Sequence, residues 1–309
     1  MSAPIKELCL VHLVRAHNGT EPFRRFLDSY RDNPGGIEHD LLIIFKGFER
    51  PEHAEEYRKL LAPFPHLSLE ISDEGFDITA YFKAFEHYSG QYRYFCFLNS
   101  FSVILDPEWL SKLYQQIVEP EVGLVGASGS WQSLNPWGKI LKRMKMRSRI
   151  INISTPTQQT GYLKTLWYNV SVLAIAIGRL SSFPFFFPTF PNYHLRTNAF
   201  MISSNILEKI ILPTLNTKID AYRFESGKNG LTRQVLGMGK QVLVVGKDGI
   251  GYDMASWNRS GTFWQSEQEN LLVADNQTRD YRDGTMDARR YMSFNAWRTR
   301  DKISPDTTD

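Results

Sequence analysis

The sequence predicts an α/β fold with a mostly parallel central sheet flanked by helices. Apolar runs that are typical of buried strands alternate with helix patterns over the first 130 residues. Because a single helix separates consecutive strands, crossover connections must join them, and these produce parallel pairing. In sheets of this kind ligands bind at the carboxyl ends of the strands. Functional residues are therefore expected directly after the predicted strands.

The predicted elements follow one another in a regular order. Strands are predicted at residues 8–14, 39–48, 67–72, 92–99, 122–128 and 197–203, and over the apolar run that ends at residue 246. Helices are predicted at residues 21–30, 51–62, 78–90 and 204–212, and from Pro107 onward. Pro22 in a first helical turn and Gly90 after a last one match the usual preferences of helix ends.

Composition divides the chain into four segments. Residues 1–130 and 193–279 carry the strand and helix patterns, and residues 280–309 form a polar tail with Trp297 as its expected anchor. Between the two halves lies an insertion, 131–192, which is basic at 139–149 and rich in Phe near its end. Its uncharged run is shorter than the roughly 20 residues that a membrane-spanning helix needs. The insertion therefore indicates either a contact with an anionic membrane surface or a solvated basic helix beside ordinary core.

The net charge and the two cysteines limit which classes of partner and which cellular compartment are expected. A net charge of +3 is too small to indicate nucleic acid as a partner. Cys9 and Cys96 lie in apolar runs, which predicts buried free thiols in a reducing compartment. The first residues lack the pattern of a signal peptide. We therefore expect a cytoplasmic protein, either free or peripheral on the inner membrane face.

Two further features of the sequence bear on cofactor and metal binding. "GLVGASG" (123–129) resembles a dinucleotide-binding loop, but Trp131 and Pro136 follow it in place of a helix. A structural turn is the alternative for these glycines. The seven histidines are scattered without metal-ligand spacing, so no zinc site is predicted.

The stretch "DAYRFESGKNGLTRQ" (220–234) holds the strongest candidate for acid–base chemistry. Glu225 stands between Phe224 and Ser226, with Arg223 and Arg233 nearby. A carboxylate among apolar neighbours suits a general base, because burial raises its pKa toward neutral pH. The alternative is that Glu225 and Ser226 cap the start of a helix.

Two other short stretches carry candidate binding residues. His194 and Arg196 directly precede the strand at 197–203, where Arg suits a phosphate or a carboxylate. A salt bridge at the strand end is the alternative. Asn99 and Ser102 follow the strand at 92–99, in a loop that lacks the carboxylates a divalent cation prefers.

Together these stretches resemble a glycosyltransferase of the GT-A fold, similar to the family 2 enzymes that extend bacterial surface polysaccharides. The resemblance covers roughly residues 7–275 and rests on the order of elements. Asn18 stands at the family's usual Asn after the first strand, and Gly75 at the glycine before the helix that precedes the donor strand. "YRYFCFLNSFSVILDPEWL" (92–110) matches the segment that normally ends in a D-x-D motif, and Glu225 falls where the family carries its base.

The resemblance implies a GT-A-like, Rossmann-like sheet in which residues 1–130 bind the donor and residues 193–279 serve the acceptor. It implies an inverting, hexosyltransferase-like enzyme with a nucleotide-sugar donor and a glycan or lipid-linked acceptor. The implied roles are base for Glu225; donor binding for Asn18, Gly75, Asn99 and Ser102; and diphosphate or acceptor binding for His194, Arg196, Arg223 and Arg233.

The chain departs from the family pattern at the metal site. Asn99, Ser100 and Phe101 stand where the D-x-D motif would supply carboxylates to Mg²⁺ or Mn²⁺. Metal affinity is therefore expected to be low, and no metal ligand is assigned. Arg and Lys side chains could replace the cation, or catalysis is lost. The second hypothesis is a non-catalytic GT-A-like binding protein of a polysaccharide assembly complex. A third, a nicotinamide-dependent oxidoreductase, rests on "GLVGASG" alone.

Overall fold

The computed structural model describes residues 4–135 and 183–298. The strands are β1 (Lys6–Arg15), β2 (Asp40–Lys46), β3 (Leu67–Ile71), β4 (Tyr92–Leu98), β5 (Val103–Ile104), β6 (Val122–Gly126), β7 (Gly129–Ser130), β8 (His194–Leu195), β9 (Ala199–Ser203), β10 (Gln241–Val245), β11 (Gly251–Tyr252) and β12 (Val273–Ala274). The helices are α1 (Thr20–Asp32), α2 (Glu55–Leu61), α3 (Asp77–Tyr88), α4 (Trp109–Ile117), α5 (Ser204–Leu207), α6 (Lys218–Ser226), α7 (Leu231–Gly237), α8 (Asn276–Arg282) and α9 (Met286–Trp297).

Eight of these strands form one sheet in the order β11-β10-β6-β9-β4-β1-β2-β3. The pairs β1–β2, β1–β4, β2–β3 and β6–β10 are parallel. Strand β9 runs antiparallel between β4 and β6, and β11 is an antiparallel edge strand. The predicted mostly parallel α/β fold is thus confirmed. Strands from both sides of the insertion share this sheet.

Helices cover both faces of the sheet. Successive residues of a strand point to opposite faces, so β1 sends Val11 and Leu13 into the core under α3, and Leu8 and Leu10 into the core under α1. Helices α1, α2 and α4 pack on one face, and α3, α6 and α7 on the other. The apolar side chains are thus buried between the sheet and the helices on each of its faces. The polar residues at the strand ends can therefore form a site without interrupting this core.

The glycines of "GLVGASG" serve packing. A Cβ on Gly126 would lie 2.5 Å from Leu195 Cδ2, and one on Gly129 would lie 2.8 Å from Trp257 Cε3. Both glycines lie in strands, β6 and β7, so the tight turn expected there is wrong. No helix follows β7 within the described residues up to 135, which leaves the motif without the context of a dinucleotide-binding loop.

The largest differences from prediction concern α5 and the tail. Helix α5 ends at Leu207 and not near 212. Residues 280–298, expected as a polar tail, continue α8 and form α9. Trp297 is buried, and its indole N–H donates to the Phe263 carbonyl at 2.8 Å. This agrees with the prediction that Trp297 anchors the segment. Tyr281 and Ala296 are buried beside it, so the tail has more than one anchor.

Candidate functional site

The carboxyl end of β4 meets the amino end of β9. Leu98 pairs with Ala199, and the Asn99 N–H donates to the Asn198 carbonyl at 2.9 Å. This contact brings the loop after β4 beside the residues that precede β9. Two stretches that sequence analysis selected separately, 99–102 and 194–198, therefore lie side by side.

Glu225 reaches this junction from the last turn of α6. The Thr197 N–H donates to Glu225 Oε1 at 3.2 Å. Helix α6 is held in place by α3, since the rings of Phe82 and Phe224 meet edge to face at 5.9 Å. Gly230, not Glu225 or Ser226, is the N-cap of α7, so the capping alternative for these two residues is wrong.

The pKa of Glu225 is raised above its ordinary value. Removal of the carboxylate from water is the main cause, and the carboxylates of Asp275 and Asp77 add to it. The Arg196 guanidinium and the Thr197 N–H oppose the shift. The C-terminal end of α6 also disfavours negative charge, because the backbone carbonyls point that way. These surroundings increase the basicity of the carboxylate, as a general base requires.

Glu225 opens into a cavity of about 250 Å³. The cavity is lined by Ser130, Gln132, Leu134, His194, Arg196, Tyr222, Glu225, Ser226, Phe263, Trp264 and Gln277. Aromatic and aliphatic walls with a few polar groups are typical of small-ligand sites. Of the residues selected from the sequence, His194, Arg196 and Glu225 share this cavity.

His194 presents a neutral imidazole to the cavity. Burial lowers the pKa of its ring to about 4. Its Nδ1 lies 2.8 Å from the Asn192 carbonyl. Because a carbonyl only accepts hydrogen bonds, Nδ1 carries the proton and Nε2 keeps its lone pair. This ring can therefore accept a hydrogen bond from a bound hydroxyl.

Arg196 is buried and already paired. Its Nη2 donates to Asp275 Oδ2 at 2.6 Å and its Nη1 to Ser128 Oγ at 3.3 Å. The guanidinium stacks on the Phe263 ring at 4.0 Å. Asp275 Oδ1 in turn accepts the Thr278 N–H at the start of α8. Arg196 thus fixes the base of the cavity and offsets part of the negative charge of Glu225.

The loop after β4 does not fit a divalent metal. Asn99 Oδ1 accepts the Phe101 N–H at 3.0 Å and the Ser102 hydroxyl at 3.1 Å, so this neutral oxygen is used within the loop. Across residues 4–135 and 183–298, no group of three or more His, Cys, Asp or Glu side chains is placed to hold a metal ion. Asn99 and Ser102 instead hold the loop in shape.

The other residues selected from the sequence lie outside the cavity. Arg223 pairs with Asp220 at 3.4 Å and covers the Phe186 ring, beside a second cavity. Arg233 lies on α7 near His194, with its Nε buried and unpaired in the described part of the chain. Asn18 ends the turn after β1. Gly75, with a φ of 68°, lines a groove that also holds Lys83.

A second polar cluster closes the ends of β1 and β2. Lys46 is fully buried and donates to the Glu74 carbonyl at 2.5 Å, with the Asp73 carboxylate 3.7 Å away. Arg15 pairs with Asp73 at 3.1 Å and with Asp77 at 3.6 Å. Arg15 and Lys46 thus place two cations at the ends of these strands, and both lie near the Asp73 carboxylate.

Sequence reasoning missed Asp275, Asp77 and Arg279. The pattern Asp275-x-x-Thr278 is a helix-start signal and was visible in the sequence. Its pairing with Arg196 was not visible, because 79 residues separate the two. Asp77 begins α3, and burial raises its pKa. The Nη1 of Arg279 donates to the Phe101 carbonyl at 3.0 Å, in the loop after β4.

The membrane prediction falls partly outside the described residues, which exclude 139–149. In the Phe-rich end of the insertion, Phe187 is buried, whereas Phe185 is 75% exposed and Phe186 36%. No helix of the described chain combines the length and apolar character needed to cross a membrane.

No protein-family model and no curated protein matches the sequence. Solved structures show distant similarity. A mannosyltransferase from Pyrobaculum calidifontis, in complex with GDP-Man and Mn²⁺, aligns at a TM-score of 0.42 and 11% identity over 77% of this chain and 54% of that chain. The 1–349 portion of S. aureus TarS aligns at 0.40 and 10% identity over 69% and 52%.

A 4-diphosphocytidyl-2C-methyl-D-erythritol synthase from Anaerococcus prevotii aligns at a TM-score of 0.37 and 10% identity, over 71% of this chain and 83% of that chain. The present chain thus spans about half the length of the mannosyltransferase and TarS structures. Similarity at this level describes general architecture and assigns no activity to this chain.

Proposed function

We propose that this chain is a glycosyltransferase that moves a sugar from a nucleotide-sugar donor to a hydroxyl group of a glycan or lipid-linked acceptor. One observation carries the proposal: the Glu225 carboxylate, with its raised pKa, opens into a cavity beside the residues that precede β9. In an open α/β sheet the carboxyl ends of the strands are where substrates bind. A carboxylate with a raised pKa in such a cavity is suited to remove a proton.

Glu225 acts as the general base. The acceptor O–H donates to the carboxylate, which takes the proton as the acceptor oxygen bonds to the anomeric carbon. The bond between that carbon and the diphosphate oxygen breaks on the opposite side, so the configuration inverts. The electron pair leaves with the nucleoside diphosphate. A positioned base of this kind contributes about 10²–10⁴ in rate.

His194 and Arg196 position the reacting groups. Nε2 of His194 accepts a hydrogen bond from a second hydroxyl of the acceptor or of the donor sugar. Arg196 holds Asp275 and the segment 197–198, whose Thr197 N–H orients Glu225. Arg223 and Arg233 are assigned to the acceptor path beyond the cavity. On the donor side, Asn18 and Gly75 flank the nucleotide, while Asn99 and Ser102 shape the loop below it.

The acceptor is proposed to be part of a surface polysaccharide, assembled at the inner membrane face. The exposed rings of Phe185 and Phe186 lie on the segment that leads into β8, and Phe186 lines the cavity beside Arg223. Apolar surface next to basic residues suits a lipid-linked glycan. Sedimentation with anionic vesicles tests this part: we expect Phe185→Ser to reduce binding, and equal sedimentation of the parent and the variant would contradict it.

Turnover of nucleotide sugars tests the proposal as a whole. UDP-, dTDP-, GDP- and CMP-sugars are offered with free and lipid-linked glycans, and release of the nucleotide is measured. We expect one donor to turn over, and Glu225→Gln to reduce the rate by about 10²-fold or more. Glu208→Gln, at an exposed glutamate on another surface, is the control and should keep the parent rate.

A non-catalytic binding protein is the second candidate. It is favoured by the loop after β4, where the neutral Asn99 Oδ1 accepts hydrogen bonds from the Phe101 N–H and the Ser102 hydroxyl. Thermal shift separates the two functions. Stabilisation by a nucleotide sugar supports the transferase, whereas stabilisation by a glycan alone supports the binding protein. NAD(H) is included as a probe for the oxidoreductase hypothesis.

A further inference from the structure

Arg279 lies beside the loop after β4 with most of its hydrogen-bonding capacity unused. It is half-buried on α8, and its Nη1 donates to the Phe101 carbonyl at 3.0 Å. A guanidinium has five N–H donors in a rigid fork. In the part of the chain that the structure describes, no carboxylate lies within 4.0 Å of this guanidinium. The remaining donors are therefore available to an anion.

The two arginines whose charges act on Arg279 are themselves paired with carboxylates. Arg282, on the same helix, is 2.8 Å from Asp283, and Arg25, on α1, is 2.9 Å from Glu21. Burial lowers the pKa of Arg279, and so do the charges of Arg25 and Arg282, while the more distant carboxylates of Asp275 and Asp280 oppose the shift. An Arg nevertheless stays protonated in proteins. Arg279 thus carries a positive charge that a bound anion would stabilise.

Two unpaired groups accompany Arg279 at the same junction. Ser100 Oγ and Asn198 Nδ2 are buried and have no hydrogen-bond partner among the described residues. Buried polar groups are nearly always paired, so such exceptions call for an explanation. An amide N–H and a hydroxyl are both donors to anions. The junction therefore combines a cation that has no carboxylate partner with two donors that have no hydrogen-bond partner among the described residues.

We propose that Arg279 binds the diphosphate of a nucleoside diphosphate donor at this loop, and that this binding needs no divalent cation. The inference rests on the proposed function, since it assigns the donor's leaving group to a residue. Arg is suited to this ligand because its planar fork contacts two phosphate oxygens at once. As the bond to the anomeric carbon breaks, negative charge grows on the β-phosphate and the guanidinium offsets it.

Calorimetric titration of the full chain with UDP, GDP, dTDP and inorganic pyrophosphate tests the proposal. Each is measured with EDTA and with Mg²⁺ or Mn²⁺. We expect the preferred nucleotide to bind with EDTA as tightly as with metal, within about twofold. Arg279→Ala should weaken this binding by about tenfold or more, since a hydrogen bond to a charged group is lost. Arg279→Lys should keep part of the affinity, because the charge remains.

Arg31→Ala is the matched control, since Arg31 is exposed on α1 and pairs with Asp28 and Asp32. It should bind as the parent does, and circular dichroism establishes that each variant is folded. Binding that requires Mg²⁺ or Mn²⁺, or an unchanged affinity in Arg279→Ala, would overturn the role of Arg279 and leave the transferase proposal standing. If neither a nucleoside diphosphate nor a nucleotide sugar bound under any condition, both proposals would fail.

Discussion

The carboxyl edge of the sheet carries two polar clusters that differ in how their charges are paired. At the ends of β1 and β2, both cations, Arg15 and Lys46, have the Asp73 carboxylate within 4.0 Å. At the junction of β4 and β9, Arg279 has none among the described residues, and Asn198 Nδ2 is unpaired there too.

The difference separates a structural cluster from a binding site. The Lys46 ammonium donates hydrogen bonds to the Ser72 and Glu74 carbonyls and thereby fixes the loop that leads into α3. A charge engaged in this way holds the backbone and has little left for a ligand. Donors without a partner have the opposite property, because a ligand can satisfy them. The second cluster is therefore the one where we propose that the donor binds.

The largest expected loss of stability comes from the buried ion pair. Asp275→Asn keeps the helix cap but leaves the buried Arg196 without its carboxylate, which costs about 3–5 kcal/mol of unfolding free energy. Asp73→Asn, at a carboxylate that is 57% exposed, should cost about 0–1 kcal/mol. Urea denaturation measures both variants. Equal losses would contradict the larger contribution expected of the buried pair.

A smaller loss is expected where β6 contacts β8. Gly126→Ala places a Cβ 2.5 Å from Leu195 Cδ2 and 2.9 Å from the Ala199 carbonyl, which should cost about 1–3 kcal/mol. Gly237→Ala in α7 is the control, since its Cβ would meet nothing within 4 Å of the described atoms. It should stabilise the chain by about 0.4–1 kcal/mol. Thermal unfolding compares the two, and a neutral Gly126→Ala would refute the close approach.

The pH dependence of stability should reveal the raised pKa of Glu225. The folded state holds this proton at pH values where the unfolded state has lost it, so the carboxyl stabilises the fold at low pH. This stability is lost as the pH rises through the folded pKa. Glu225→Gln should therefore be more stable than the parent at pH 8, with a smaller advantage at pH 4. Denaturation at both pH values measures this, and a variant less stable at pH 8 would contradict it.

The sheet could be predicted because its signals are local. Each strand of the first half is a short apolar run bounded by turn or helix-end residues, as in "HDLLIIFKGF", and the observed β2 (Asp40–Lys46) lies within that run. The antiparallel direction of β9 could not be inferred this way. It depends on where the chain returns after the insertion, and no local pattern encodes that.

The site could be predicted only in part, for a related reason. Glu225, His194 and Arg196 stood out as polar residues in apolar or glycine-containing stretches, and the structure brings them to one cavity. Asp275, which pairs with Arg196, and Arg279, which contacts the loop after β4, come from the end of the segment 193–279, where no helix or strand was predicted. Their roles depend on contacts over long sequence separations, 79 residues for Asp275 and 178 for Arg279.

The central claim is that Glu225 removes the acceptor proton and does not hold the donor. Titration of the preferred nucleotide sugar into the parent and into Glu225→Gln, paired with turnover of the same donor, tests it most directly. The account predicts a dissociation constant that changes by less than about threefold and a turnover that falls by about 10²-fold or more. A variant that turns over donor at the parent rate, or loses binding in proportion to turnover, would contradict it.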